Sequence, residues 1–177
     1  MTWRIDDPQG NESAKIRWEL VPYMNGRVLD LGCGPYKTFP HFVGVDNGHH
    51  DSAFGWQNKA DIIVKTCEKL DLIADKSCDM VFSSHLLEHI PYENVPATLA
   101  EWVRVIKDGG HLAIYVTDED EYPKVGEKGA NPYHKFNVNY DKVVAAMESV
   151  ERDWDLVQFE KRNKTNEYSL FFVFKMQ

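Results

Sequence analysis

A chain of 177 residues, 43 % hydrophobic and 27 % charged, can bury one full core and leaves little room for a second domain. Its formal charge of −8 repels a phosphate backbone, and the basic residues form no run or stripe, which argues against nucleic acid or an anionic membrane as partner. Three widely spaced cysteines, no apolar run near the roughly 20 residues of a membrane span, and no signal-peptide core in "MTWRIDDPQG" point to a reduced, cytoplasmic protein.

In chain order, the first element is a helix in "NESAKIRWELVPYMNG", where Ile16 and Leu20, with Trp18 and Val21, recur at helical spacing. Asn11 or Ser13 can cap it, and Pro22 limits its end. "GRVLDLG" is too short for a helix and is bounded by Gly26 and Gly32, so it reads as a buried strand; "HFVGVD", "ADIIVK" and "SCDMVFSS" are three more. In "NVPATLAEWVRVIKDGG", Val95, Leu99, Val103 and Ile106 make one helical face that closes on Lys107 and Gly109. "HLAIYV" is the fifth strand. A weakly apolar loop, "TDEDEYPKVGEKGANPYHKFNVN", precedes a helix on Val143, Met147 and Val150, and "WDLVQFE" and "YSLFFVFK" are the last strands.

Short, mostly unalternating apolar runs separated by helices predict a largely parallel sheet buried on both faces. The last two runs are joined by a connection too short for a crossover and should pair antiparallel, which makes an α/β, Rossmann-like sheet of seven strands, six parallel and one reversed. From Gly34 to the second strand the chain allows a crossover helix of no more than about one turn. The sheet is thinly covered there, and the amino-terminal helix is the segment available to fill the gap. One domain, 1–177, is expected, with 1–25 as an amino-terminal segment and 117–139 as a substrate-side loop.

The stretch "VLDLGCGPYKTFPHFVGVD" carries the functional reading. A dinucleotide site uses GxGxxG, and here the third position is Lys37. A truncated helix also removes the donor array that would hold a pyrophosphate. A nucleoside without phosphate needs only two close-approach glycines, a carboxylate before them and an acid at the end of the next strand for the ribose; Asp30, Gly32, Gly34 and Asp46 are that set.

With "SCDMVFSSHLLEHI" and "LAEWVRVIKDGGHLAIYV" added, the chain resembles the class I S-adenosylmethionine-dependent methyltransferases, of the small type with a "LEH" run after the fourth strand. The resemblance covers about residues 28–116. It implies S-adenosylmethionine as cofactor and S-adenosylhomocysteine as product. It places Asp30 near the amino and methionine end, Gly32, Cys33 and Gly34 beneath the ribose and methionine, and Asp46 on the ribose hydroxyls. After the third strand many such enzymes have an acid, a small residue and Glu, the acid meeting adenine; here Thr66 stands in the acid's place, with Cys67 and Glu68 following. Ser83, Ser84 and His85 match positions bordering the methyl-transfer centre, whereas Glu101, Arg104, Gly109 and Gly110 match a structural signature without a catalytic role.

His85, Glu88 and His89 also spell the HxxEH of a zinc protease family, but Pro91 stops a helix there and no third ligand follows, so no metal is expected and His89 is read as packing locally. His49 and His50, beside Asp46 and Asp51, are read as turn chemistry, and the acidic run Asp118 to Glu121 as solvated. In the long loop Tyr133, His134 and Phe136 face the substrate or, equally, anchor the loop. The expected activity is methyl transfer to a small-molecule or glycan-like acceptor, with His134 or His85 as base if that acceptor is a hydroxyl. The alternative from another class is a nucleoside- or cofactor-binding partner module without turnover; the sequence is silent on oligomeric state.

Overall fold

The computed structural model describes residues 11–49, 57–164 and 166–177. Seven strands form one sheet: β1 (Val28–Leu31), β2 (Val43–Asp46), β3 (Ile62–Ile63), β4 (Cys78–Ser84), β5 (Ile106–Thr117), β6 (Trp154–Arg162) and β7 (Ser169–Met176). Their order is β3-β2-β1-β4-β5-β7-β6, with every neighbouring pair parallel except those made by β7, which is antiparallel to both β5 and β6. Six strands therefore share one direction and β7 opposes them, as the sequence predicts.

Burial explains which runs are continuous and which alternate. β1 is buried along its whole length between β2 and β4, whereas β6, at the sheet edge, alternates between half-buried and exposed side chains. On one face, α2 (Val95–Arg104) and α3 (Tyr140–Glu148) cover Leu29, Val81, Leu112 and Phe172. Trp102, fully buried, anchors α2 by donating its indole N–H to the Cys67 carbonyl at 2.7 Å. Glu101 and Arg104 are structural, as expected: the carboxylate accepts from the Leu70 amide at 2.8 Å and the guanidinium binds Glu101, Asp75 and two loop carbonyls. Helix α2 ends at Arg104, so Ile106 does not extend its apolar face. It begins β5 opposite Cys78, and Gly109 lies within that strand.

The other face has no helix between β1 and β2 at all; residues 32–42 cross in turns, with Phe42 packed inward. The amino-terminal segment fills the gap, but only Ser13–Ile16 (α1) is helical, without a side-chain cap from Asn11 or Ser13. Ile16 and Leu20 are fully buried against Val28, Met80, Phe82, Tyr115 and Phe171, while Trp18 and Val21 point outward. A continuous helix would have put a wider stripe on the sheet. The chain loosens into turns after Ile16, so a narrower one is buried.

Because Leu20 replaces a crossover helix, Leu20→Ala should cost about 2–4 kcal/mol. Trp18→Ala, at a side chain 60 % exposed, should cost less than about 1 kcal/mol. Thermal or urea unfolding of the two variants checks the contrast; equal losses would mean that the segment is not part of the core.

Candidate active site

At the rim where the parallel strands end, a cavity of about 740 Å³ opens between the β1 turn, the amino-terminal segment and the loop after β5. Neighbouring strands lie ~4.8 Å apart, so the rim from β1 through β4 and β5 to β7 spans roughly 14 Å, room for a nucleoside and a second small molecule side by side.

The β1 end is built by two short loops. Gly32 and Gly34 hold φ of +69° and +53°. A Cβ on Gly32 would touch Leu86, whereas one on Gly34 would meet no protein atom within 4 Å, so Gly34 presents bare backbone to open space. The turn is tied to the next strand by the Gly34 amide donating to Asp46 Oδ2 at 2.9 Å; Asp46 Oδ1 accepts from the Asn47 amide at 2.7 Å. Asp30, 2 % exposed, lines the cavity and accepts from the Thr38 amide at 2.7 Å. Burial pushes its carboxyl up to about 6 despite that bond. Burial and the neighbouring Asp30 push the Cys33 thiol up to about 12, so its sulfur is a wall and not a nucleophile. Ser84 adds a hydroxyl that no protein group partners.

The far end is built around Glu88, which has no exposed surface. One of its carboxylate oxygens faces His85 Nδ1 at 3.2 Å, the Thr117 amide at 3.3 Å and His134 Nε2 at 4.0 Å; the other has no protein partner. Burial works to raise this carboxyl, but the hydrogen bond from His85 and the nearby imidazoles outweigh it and hold it below the usual glutamate range. An ionised carboxylate only accepts, so His85 donates to it from Nδ1, and its Nε2 lies 3.1 Å from the Ser169 hydroxyl. His89 and His134 meet edge to face at 4.9 Å between centroids, and burial holds both below the ordinary histidine pKa, against the pull of Glu88. Tyr122 lies 5.2 Å from His134 and 5.0 Å from Tyr168, which continues the aromatic wall to β7.

Of the residues singled out by sequence, the cavity brings together Asp30, Gly32, Cys33, Gly34, Ser84, His85, Tyr133 and His134. Asp46 stands behind the turn and shapes it through Gly34. Thr66 and Glu68 bond each other, Glu68 also holds Asn94, and Cys67 is buried in the core, so all three sit away from the cavity wall. Ser83 is buried within the sheet between Leu31 and Ile114. Phe136 packs on Tyr92 and the core as an anchor and does not line the cavity, whereas Tyr133, 70 % exposed, stands at the mouth. His89 lines the cavity instead of packing only locally. Nor is the acidic run simply solvated: Asp118 is buried, Lys161 bridges it and Asp120, and Lys142 pairs with Glu119. His50 and Asp51 lie outside the described residues. Leu87–His89 form a single 3₁₀ turn, and among the described residues no group of three His, Cys, Asp or Glu is arranged to hold a metal ion.

Sequence reasoning missed Glu12, Tyr36, Tyr122 and Tyr168. One signal was available for Tyr168. It immediately precedes the reversed strand, whose beginning, not its end, lies at the ligand rim. Glu12 arrives only because the amino-terminal segment crosses that rim, which no local pattern announces.

A doubly wound sheet with a glycine-cradled cavity at its carboxyl rim defines a Rossmann-like α/β domain for a nucleoside-bearing ligand. Residues 29–114, from β1 through most of β5, match the model of the Methyltransferase domain family. Solved structures share the fold: a SAM-dependent methyltransferase from Archaeoglobus fulgidus (TM-score 0.70, 21 % identity, 92 % of each chain covered) and a protein from Pyrococcus horikoshii OT3 (0.67, 22 %, 97 % of this chain and 93 % of that one). A third, from Thermotoga maritima, is described as a SAM-dependent methyltransferase, possible histamine N-methyltransferase (0.68, 17 %, 93 % and 87 %). No curated protein sequence matches the chain. The match marks residues 29–114 as a methyltransferase domain, and the fold is one shared with solved SAM-dependent methyltransferases.

The raised carboxyl of Asp30 has a consequence for stability. An acid with a folded-state value of about 6 against 3.8 in the unfolded chain binds more protons when folded, so its contribution is fully present below about pH 4 and is lost as pH rises through 6. Asp30→Asn should therefore stabilise the ligand-free protein at pH 7 by about 1–3 kcal/mol, with little effect at pH 4. Urea unfolding at the two pH values reads this; a destabilised variant at pH 7 would mean that Asp30 is held by attractions the fold needs.

Proposed function

We propose that the chain transfers the methyl group of S-adenosylmethionine to a small-molecule or glycan-like acceptor, and that it works in the cytoplasm as one methyltransferase unit spanning 1–177. The observation that carries this reading is the continuity of the cavity, which joins the bare Gly34 backbone and the Asp30 carboxylate at one end to a wall of histidines and tyrosines at the other. Among the described residues no helix is long and apolar enough to cross a membrane, and the three cysteines are free and buried, which agrees with a reducing location.

The β1 end fits the donor. Gly34 leaves the space that a ribose needs, the buried Asp30 carboxylate suits an amino group, and the orphaned Ser84 hydroxyl needs a partner. Asp30, Gly32, Cys33, Gly34 and Ser84 would hold it directly, with Asp46 on the ribose side behind the Gly34 turn and Ser83 beneath, while Thr66, Cys67 and Glu68 would act only from behind the wall on the adenine side. When bound, S-adenosylmethionine supplies an electrophilic methyl group on a cationic sulfur. The protein's part is to bring the acceptor into line, exclude water and hold the acceptor's proton.

His134 is the better placed base. His85 is engaged on both ring nitrogens, by Glu88 and by Ser169, while His134 is 4.0 Å from Glu88 and held neutral by burial. Tyr133, beside it at the mouth, receives the acceptor, and Phe136 fixes the loop.

Gly34→Ala should fold at a cost of about 1–2 kcal/mol, since its Cβ meets no protein atom but must sit at a φ of +53°, and bind S-adenosylhomocysteine at least 10-fold more weakly; Asp46→Ala should lose roughly 10- to 100-fold. Calorimetric titration decides, and unchanged affinity in both folded variants would remove the cofactor assignment. Once transfer from labelled S-adenosylmethionine identifies an acceptor, His134→Gln should lower turnover by about 10²-fold while leaving S-adenosylhomocysteine affinity as it was. Normal turnover would make His134 a loop anchor.

A further inference from the structure

The far end of the cavity has a chemical character of its own. Among the described residues lining it there is no lysine or arginine, and Lys15, beside Tyr168, is already paired with Glu12, so an acceptor carrying a carboxylate or phosphate would meet no unpaired counter-charge among them. Its surface consists of Tyr122, Tyr168 and the edge-on histidines, backed by Glu12 at one side and the buried, ionised Glu88 beneath. The unpartnered second oxygen of Glu88 leaves negative charge that no protein donor neutralises. Aromatic faces with carboxylates behind them attract cations. One corner already holds one: the Lys15 ammonium sits 5.1 Å from the Tyr168 ring centre and 2.6 Å from Glu12.

Resting on the methyltransferase reading above, we infer that the acceptor is a small cationic amine, held against Tyr122 and Tyr168 over the β5–β7 rim and methylated on nitrogen. Protonated, that nitrogen has no lone pair with which to attack. His134 beside Tyr122 is the group that can take its proton, and Glu88, 4.0 Å from His134, stabilises the imidazolium formed. The freed lone pair forms the N–CH₃ bond as the S–CH₃ bond breaks, its electron pair going to sulfur. The product leaves as the methylated ammonium, and the imidazolium returns its proton to water, so charge and protons balance. Glu88 is a positioning residue in this scheme.

The test uses protein saturated with S-adenosylhomocysteine and compares matched probes by calorimetry: phenethylamine against 2-phenylethanol and hydrocinnamate, and glucosamine against glucose. The expected result is an amine bound at least 10-fold more tightly than its alcohol and acid counterparts in one of the two sets. That preference should fall at least threefold in Glu88→Gln with S-adenosylhomocysteine affinity retained. If Glu88→Gln does not fold, Tyr168→Leu is read in the same way. Equal affinities, a preference for the alcohol or acid, no amine binding, or a preference that survives in the folded variant overturns the inference while leaving the methyltransferase reading intact. Failure to bind S-adenosylhomocysteine at all would instead remove that reading and the inference with it.

Discussion

Residues 32–42 are too few to carry a helix across the sheet, and the departures of this molecule from a fully wound α/β domain follow from that constraint. Without a crossover helix, the face over β1, β4 and β5 would expose Phe82 and Tyr115 to water. The chain covers it by bringing back residues 11–24, burying Ile16 and Leu20 there. The same stroke carries Asn11, Glu12 and Ser13 over the rim, where they line the cavity. A solution to a packing problem thus also closes the binding site. Glu12 joins the two roles, since its carboxylate accepts from the Tyr168 hydroxyl at 3.1 Å and from Lys15.

The second dependence runs through Glu88. A carboxylate with no exposed surface is costly unless its oxygens are bonded, and here one oxygen gathers His85, the Thr117 amide and, more distantly, His134. Its backbone carbonyl accepts from the Lys135 amide at 2.7 Å, so the same residue pins the long loop after β5 to the turn after β4. Removing the side-chain charge would weaken the contact with His85 and leave the loop anchor, a backbone bond, in place. The orphaned oxygen leaves the arrangement short of full satisfaction, which is the usual state of a buried polar group that has work to do with a ligand.

How far the sequence reaches is clear from particular residues. Strand identity and direction were legible because continuous burial leaves long apolar runs, and the short connection between β6 and β7 forces a reversed pairing. Gly32 and Gly34 were legible because a strand that ends in bare backbone needs left-handed torsion angles. The end of α2 was not: Ile106 satisfies a helical period, and only its pairing with Cys78 makes it strand. Periodicity cannot see that competition. Phe136 takes the anchoring one of its two readings, and His89 reaches the cavity instead of packing only locally, for a similar reason. Alternation within a loop says that one side chain goes inward, and the core or the cavity is chosen by neighbours distant in sequence, Tyr92 for one and His134 for the other.

The rim was the least legible part, because it is assembled from chain ends of opposite sense. Six parallel strands deliver their last residues there, and β7 delivers its first, so Tyr168 and Ser169 belong to the same surface as Ser84, His85 and Thr117. Ser169 opposes Thr117 in the β5–β7 ladder and reaches His85 from the reversed strand, which lies two places across the sheet from β4. A single antiparallel strand therefore does more than finish the sheet. It brings a tyrosine and a serine in chain-initial positions to a site otherwise made of chain-terminal ones. With the amino-terminal carboxylate of Glu12 on the other side, the part of the cavity over β5 and β7 takes its aromatic and acidic character from segments that flank the domain core, whereas the glycine-lined part comes from the core itself.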